Sequence, residues 1–189
     1  MRGAAMRHLI AVDPSIVSAG VAYFYLGVLQ KVWTVIPKDT GTSDNTGARI
    51  RDIGSEIVRV VEPQLYLVRD LVHLITEWPE IYREKPGRRN DRNDLPGLAG
   101  VGSWVAGKLD CSFETVLPKE WCAQIPKSTL VSKRFDNTRS RRIADRLDPE
   151  ELAVYRTAST HDGIDAIGIG LHSLNRGIID RRRVFYGAT

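Results

Sequence analysis

The sequence predicts an α/β fold, a mixed sheet with helices on both faces. Three observations predict it. Three runs rich in β-branched and aromatic residues open the chain, separated by turn signals. The hydrophobic period then lengthens to that of a helix. From there strand and helix patterns alternate to the end. The opening meander argues against a wholly parallel, doubly wound sheet. The chain has 189 residues, 42% of them hydrophobic, which suits one compact domain over residues 1–189.

Residues 8–12 (HLIAV) form a short apolar run that ends at the turn pair Asp13-Pro14. Residues 20–26 (GVAYFYL) and 28–36 (VLQKVWTVI) flank Gly27, and the three runs read as an antiparallel meander. Ile50, Ile53, Ile57 and Val61 recur at helical spacing with charged residues between them. Asn45 or Thr46 is the expected cap, and Pro63 the stop. Residues 71–76 (LVHLIT) are the best candidate for a fully buried strand. Residues 83–94 (REKPGRRNDRND) contain no apolar residue and read as a flexible basic loop. Residues 95–109 are apolar and Gly-rich, a helix suited to close packing. Residues 113–117 form a fifth strand ended by Pro118, residues 119–158 read as polar and helical, and residues 161–175 as an amphipathic helix with Ile164, Ile167, Leu171 and Leu174 on its core side. A basic tail covers 176–189.

Several function classes drop out. No apolar run approaches the roughly 18 residues of a membrane span. The start carries Arg2 and Arg7 but no apolar block with a cleavage site. Two cysteines, Cys111 and Cys122, have no metal-ligand spacing and are too few for a secreted scaffold. A cytoplasmic protein is expected. Gly102 to Lys108 (GSWVAGK) matches seven positions of a phosphate-binding loop. However, Leu109 stands where a hydroxyl is needed, Trp104 and Val105 fill the cradle, and the segment before it reads as helix. The small residues Gly97, Gly100 and Ala106 instead suit a helix that approaches a neighbour closely, including a second copy across a two-fold axis.

Four carboxylates stand where core elements begin or end. Asp13 closes the first strand and Glu77 follows LVHLIT. Asp162 and Asp165, three apart, share one side of the last helix near its start. Each has a plain alternative. Asp13-Pro14-Ser15 suits an ordinary turn, Glu77 a strand-end charge, and the Asp162 and Asp165 pair a helix N-terminus. If the four converge, their repulsion calls for a divalent cation, and hard oxygen ligands suit Mg²⁺ or Mn²⁺ rather than zinc. Two such ions, about 3.5–4 Å apart, can activate water and stabilise the leaving oxygen in phosphodiester cleavage.

At this point the chain resembles the RuvC-type Holliday junction resolvases. The carrying segments are IAVDPSIVSAGVAYF with Asp13, Ser15, Gly20 and Val21; LITEWP with Glu77; GLAGVGSWVAGKL; VLPKEW; and HDGIDAIGIGLH with Asp162, Asp165 and Ala166. Together they span roughly residues 8–175, in the family's order. The resemblance implies a ribonuclease H-like fold, a five-stranded mixed sheet with three antiparallel strands followed by parallel ones. It implies Asp13, Glu77, Asp162 and Asp165 as catalytic metal ligands for two Mg²⁺ ions, with Mn²⁺ as an alternative and Asp13 shared. His161, beside the last pair, either assists the site or caps the helix. Lys133 lies at the spacing of a basic residue near the scissile phosphate. Where the family often has a lysine this chain has Cys122, so that role is either vacant or moved to Lys119 or Lys127. The family's aromatic after the glutamate is replaced by Glu80. Trp78 and Tyr82 are then the candidates for stacking on unpaired bases, worth about 1–3 kcal/mol each; core packing is the alternative for Trp78.

The charge distribution adds to this. The net charge is only +4. Residues 119–146 carry eight basic and three acidic residues, 83–94 five and three, and 176–183 four and one. The remaining chain is therefore acidic. Lys119, Lys127, Lys133, Arg134, Arg139, Arg141, Arg142, Arg88, Arg89 and Arg92 are the expected DNA-binding residues, gripping phosphates beside the site. The function expected is a homodimeric, metal-dependent endonuclease that resolves four-way junctions in branched double-stranded DNA, in a bacterial or phage-infected cell. The alternatives are a related nuclease acting on flaps or other branched DNA, and a nucleic-acid-binding module without activity.

Overall fold

The computed structural model describes residues 7–15, 18–37, 46–65, 71–79, 95–122 and 138–177. Strands β1 (His8–Asp13), β2 (Ala19–Tyr25) and β3 (Val28–Val35) form the antiparallel meander. Leu26 and Gly27 join β2 to β3, both with positive φ. That is the two-residue turn whose twist matches a hairpin, and Gly27 occupies it without steric cost. The ladder slips between Tyr23 and Phe24, which pair with Lys31 and Leu29.

Helix α1 (Thr46–Val61) follows and runs into a 3₁₀ turn at Glu62–Gln64 that contains Pro63. Pro63 lacks the N–H that a continuing helix needs. Strand β4 (Val72–Glu77) pairs parallel with β1. Helix α2 (Leu95–Leu109) then leads to β5 (Ser112–Val116), parallel to β4. The sheet order is β3-β2-β1-β4-β5. Three short helices, α3 (Pro118–Trp121), α4 (Thr138–Ala144) and α5 (Pro149–Tyr155), precede α6 (His161–Ser173). Residues 83–94, the capping candidate Asn45 and the tail from residue 178 lie outside the described residues.

Both faces of the sheet are covered. Ile10, Val12, Val21, Tyr23 and Leu74 pack with Ile53, Ile57, Val101 and Val105 of α1 and α2. Leu9, Ala11, Ala22, Phe24 and Ile75 pack with Trp121, Ile143, Ile164 and Ile167 on the other face. Each such fully buried apolar side chain contributes about 1.5–3 kcal/mol. The fully buried strand is β1, not β4. β1 is the central strand under helices on both sides, whereas β4 leaves His73 and Glu77 half-buried near the exposed edge strand β5. Helix α6 is buried on nearly every side from Gly163 to Leu171, rather than along one stripe. It lies between the sheet and the layer formed by α3 and α4. Gly168 and Gly170 make room for it there: a Cβ would strike the Trp121 ring at one and the Phe24 ring at the other.

The apparent phosphate loop, residues 102–108, is the middle of α2, with no loop to cradle a phosphate. Gly97 accommodates Ile50 of α1, and Ala106 is buried. Those small residues serve packing within the chain, while Gly100 faces open space. Among the described residues no helix is long and apolar enough to cross a membrane. Burial, with a further contribution from Asp110, pushes the Cys111 thiol up to about 11, so it stays protonated and non-nucleophilic at neutral pH.

Candidate active site

Strand alternation brings two of the four carboxylates to one face. Residues two apart on a strand share a side, so Asp13 lies with Leu9 and Ala11 toward α6, and Glu77 lies with Ile75. The parallel register pairs Val12 with Thr76, which makes Asp13 and Glu77 the next residues along on neighbouring strands. The chain leaves β1 toward β2 on one side and β4 toward β5 on the other. The carboxyl ends of β1 and β4 thus flank a topological switch point, where open α/β sheets form their ligand crevices.

The other two arrive on α6. Thr160 caps that helix, its Oγ1 accepting from the Gly163 N–H at 3.3 Å. Thr160 is itself tied to β3 through Thr34, 2.8 Å between hydroxyls, and Ser159 donates to Thr34 at 2.8 Å. His161 is the exposed first residue of the helix; it is not the cap, because the Thr160 hydroxyl already takes that N–H. Gly20, the antiparallel partner of Asp13, sits directly beneath the Asp162 backbone. A Cβ at Gly20 would overlap the Asp162 carbonyl, so this glycine lets the start of α6 settle on the strand pair beside Asp13. Asp162 is half-buried in the first turn, where the helix dipole favours negative charge by about 0.3–1 kcal/mol. Asp13 and Asp165 are buried, 8% and 3% exposed.

Ser18 Oγ donates to Asp162 Oδ2. Trp121 Nε1 donates to Glu77 Oε2 at 2.6 Å. Arg139 Nη1 reaches Asp165 Oδ2 at 3.2 Å, with the two side chains 11% and 4% exposed. The Arg139 guanidinium also lies 5.2 Å from the centre of the Trp121 ring, a cation–π contact. The all-oxygen donor set suits Mg²⁺ or Mn²⁺. In this arrangement, however, no three His, Cys, Asp or Glu side chains among the described residues stand together closely enough to hold an ion. The donor chemistry fits a divalent cation; the arrangement does not.

The remaining candidates separate. Lys119, Arg141 and Arg142 are exposed, whereas Arg139 turns inward and leaves the surface row that its sequence neighbours form. Trp78, beside Glu77, is 43% exposed and lies outside the core. Cys122 is buried, and its thiol donates to the Pro118 carbonyl at 3.0 Å; a lysine there would have to bury its charge. Lys127, Lys133, Arg134, Arg88, Arg89, Arg92 and Tyr82 lie outside the described residues. Sequence reasoning missed Ser18 and Trp121. Trp121 carried a signal, since an indole in a short polar helix right after a strand usually seeks a partner for its N–H. Ser18 carried none.

No protein-family profile matches the chain, and no curated protein sequence matches it. Solved structures do. A structure of Thermus thermophilus RuvC has a TM-score of 0.55 and 13% identity, over 87% of this chain and 92% of that one. T. thermophilus RuvC in complex with Holliday junction substrate has a TM-score of 0.53 and 13% identity, over 88% and 91%. The five-stranded mixed sheet with its flanking helices is therefore a ribonuclease H-like fold. Within that class it resembles the RuvC structure, a likeness of fold.

Proposed function

We propose that the chain is a metal-dependent endonuclease that cuts branched double-stranded DNA, four-way junctions first, and works as a homodimer. One observation carries the reading. Asp13 and Glu77 end neighbouring parallel strands, and α6, which carries Asp162 and Asp165, packs on the same face of that sheet, in a fold that resembles RuvC. The similar RuvC complex contains a Holliday junction substrate, which supports a branched substrate here. The four carboxylates would hold Mg²⁺, or Mn²⁺, once drawn closer together than they stand here; an ion there would lower the pKa of bound water and neutralise phosphate charge. Gly20, Ser18 and the Thr34–Thr160 tie hold the start of α6, with Asp162, against β2 and β3. Exposed Lys119, Arg141 and Arg142 supply phosphate contacts nearby, and Trp78 offers a face to an unstacked base. Symmetric nicking of a four-way junction calls for two sites related by a two-fold axis, hence the dimer.

The Arg139–Asp165 pair favours a second reading. In it a fixed arginine has replaced the metal, and the chain binds branched DNA without cutting it. Incubation of matched four-way, flap and linear duplexes with Mg²⁺ separates the two. The nuclease reading expects symmetric nicks in the junction and little cleavage of the linear duplex. Binding without cleavage of any of the three supports the module, and preferential cutting of the flap redirects the substrate. Sedimentation as a monomer at micromolar concentration, with and without junction, would remove the paired-nicking mechanism.

A further inference from the structure

We propose that Arg139 is a tethered counter-ion that competes with a divalent cation for Asp165, and so sets how readily the acidic end takes up metal. The proposal rests on reading this end as a cation site, not on what the site cleaves.

A carboxylate as deep as that of Asp165 is costly without a compensating cation. The Arg139 guanidinium supplies one, 3.2 Å away and itself largely withdrawn from water. Its central carbon lies over the Trp121 ring, 5.2 Å from the ring centre. That ring is 1% exposed and fits against Gly168 with no space to spare. The same indole donates its N–H to Glu77. A single run of contacts thus links two proposed ligands, Glu77 on β4 and Asp165 on α6, through Trp121 and Arg139. A guanidinium and a divalent cation carry the same sign and seek the same oxygens. Close approach of both to one buried carboxylate is strongly repulsive in a medium less polar than water. This competition also accounts for the mismatch at the site, where an oxygen donor set suited to a cation lacks a preformed group of three ligands.

The test is a Mn²⁺ titration followed by the electron paramagnetic resonance of free Mn²⁺. The parent, Arg139→Gln, Arg139→Met and Arg139→Lys are compared, each also in an Asp165→Asn background. Arg139→Gln and Arg139→Met should bind Mn²⁺ more tightly, on the order of tenfold, the usual scale for coupling between two ligands. Arg139→Lys should stay near the parent, because it keeps the charge. The gain should vanish in the Asp165→Asn background. Unchanged or weaker Mn²⁺ binding in whichever of the two neutral variants folds overturns the proposal, as does an equal gain in the lysine variant. The same preparations are assayed for Mg²⁺-dependent junction cleavage. A parent that cuts while the neutral variants show no gain ends this proposal and leaves the nuclease reading standing. A gain in affinity with no cleavage by any preparation supports the counter-ion and removes the nuclease reading.

Discussion

Helix α6 has an arginine–carboxylate pair near each end, and the two are built differently. Beyond its C-terminus, Arg176 grips Glu151 with both terminal nitrogens, at 2.8 and 2.5 Å. Glu151 is fully buried and also accepts from the Leu29 and Asp148 N–H groups, at 2.8 and 3.0 Å. Arg176 donates onward to the carbonyls of Gly27 and Arg146. One pair therefore ties together the β2–β3 hairpin, the start of α5, the segment after α4 and the chain after α6. Near the N-terminus, Arg139 meets Asp165 at a longer 3.2 Å and lies over the Trp121 ring, whose N–H donates to Glu77. Two arginine–carboxylate pairs on buried carboxylates thus differ in what surrounds them. Backbone groups of Gly27, Leu29, Arg146 and Asp148 surround one pair, and an indole ring flanks the other.

The largest expected effect comes from breaking the structural pair. Arg176→Met leaves Glu151 buried and uncompensated and should cost about 3–5 kcal/mol in urea unfolding, with no recovery on adding Mg²⁺. Arg139→Gln should cost less, and saturating Mg²⁺ should restore most of it by binding only the folded state. Equal losses, both indifferent to Mg²⁺, would erase the distinction between the two ends.

Next in size is Gly20→Ala. Its methyl group would push the Asp162 backbone off β2, an overpacking cost of about 1–3 kcal/mol, with loss of any activity that needs Asp162 beside Asp13. Gly100→Ala, in the open, should instead gain about 0.4–1 kcal/mol. Thermal unfolding of the two variants reads both signs.

The pH response is smaller and belongs to the C-terminal pair. Burial alone would raise the Glu151 pKa, but Arg176 and the Leu29 and Asp148 N–H groups outweigh it and hold it below the ordinary carboxylate value. A pKa depressed by folding contributes stability that is present above the unfolded value of 4.5 and lost as pH falls through the lower folded value. Glu151→Gln should therefore flatten the acid limb of stability below that pH and leave its shape near neutrality unchanged. Smallest is the surface row. Arg141→Ala or Arg142→Ala should weaken binding to all DNA sequences alike and reduce the salt slope by about one per lost phosphate contact. A slope unchanged in both would remove that row from the interface.

Most of the fold was legible because its signals are local. Alternation and turn residues marked β1 to β3 within a residue, and the residues of α2 coincide with the segment read from its composition. The site was legible only as four carboxylates at element ends. That they share a face follows from strand parity and from Gly20, both readable once the fold is known. The partners were hidden. Arg139 looked like its exposed neighbours Arg141 and Arg142, because one turn of helix decides which arginine faces inward. Arg176 looked like part of a basic tail, since its carboxylate lies 25 residues away on α5. Burial of β4 was over-read, because an apolar run does not tell which strand is central.

The central claim is that Asp13, at the end of the central strand, serves phosphodiester cleavage. It is tested most directly by assaying Asp13→Asn beside the parent, with Mg²⁺ and a labelled four-way junction, while measuring junction binding without metal. The account predicts that cleavage falls to background and that binding stays close to the parent. Cleavage by the variant at the parent's rate would contradict it.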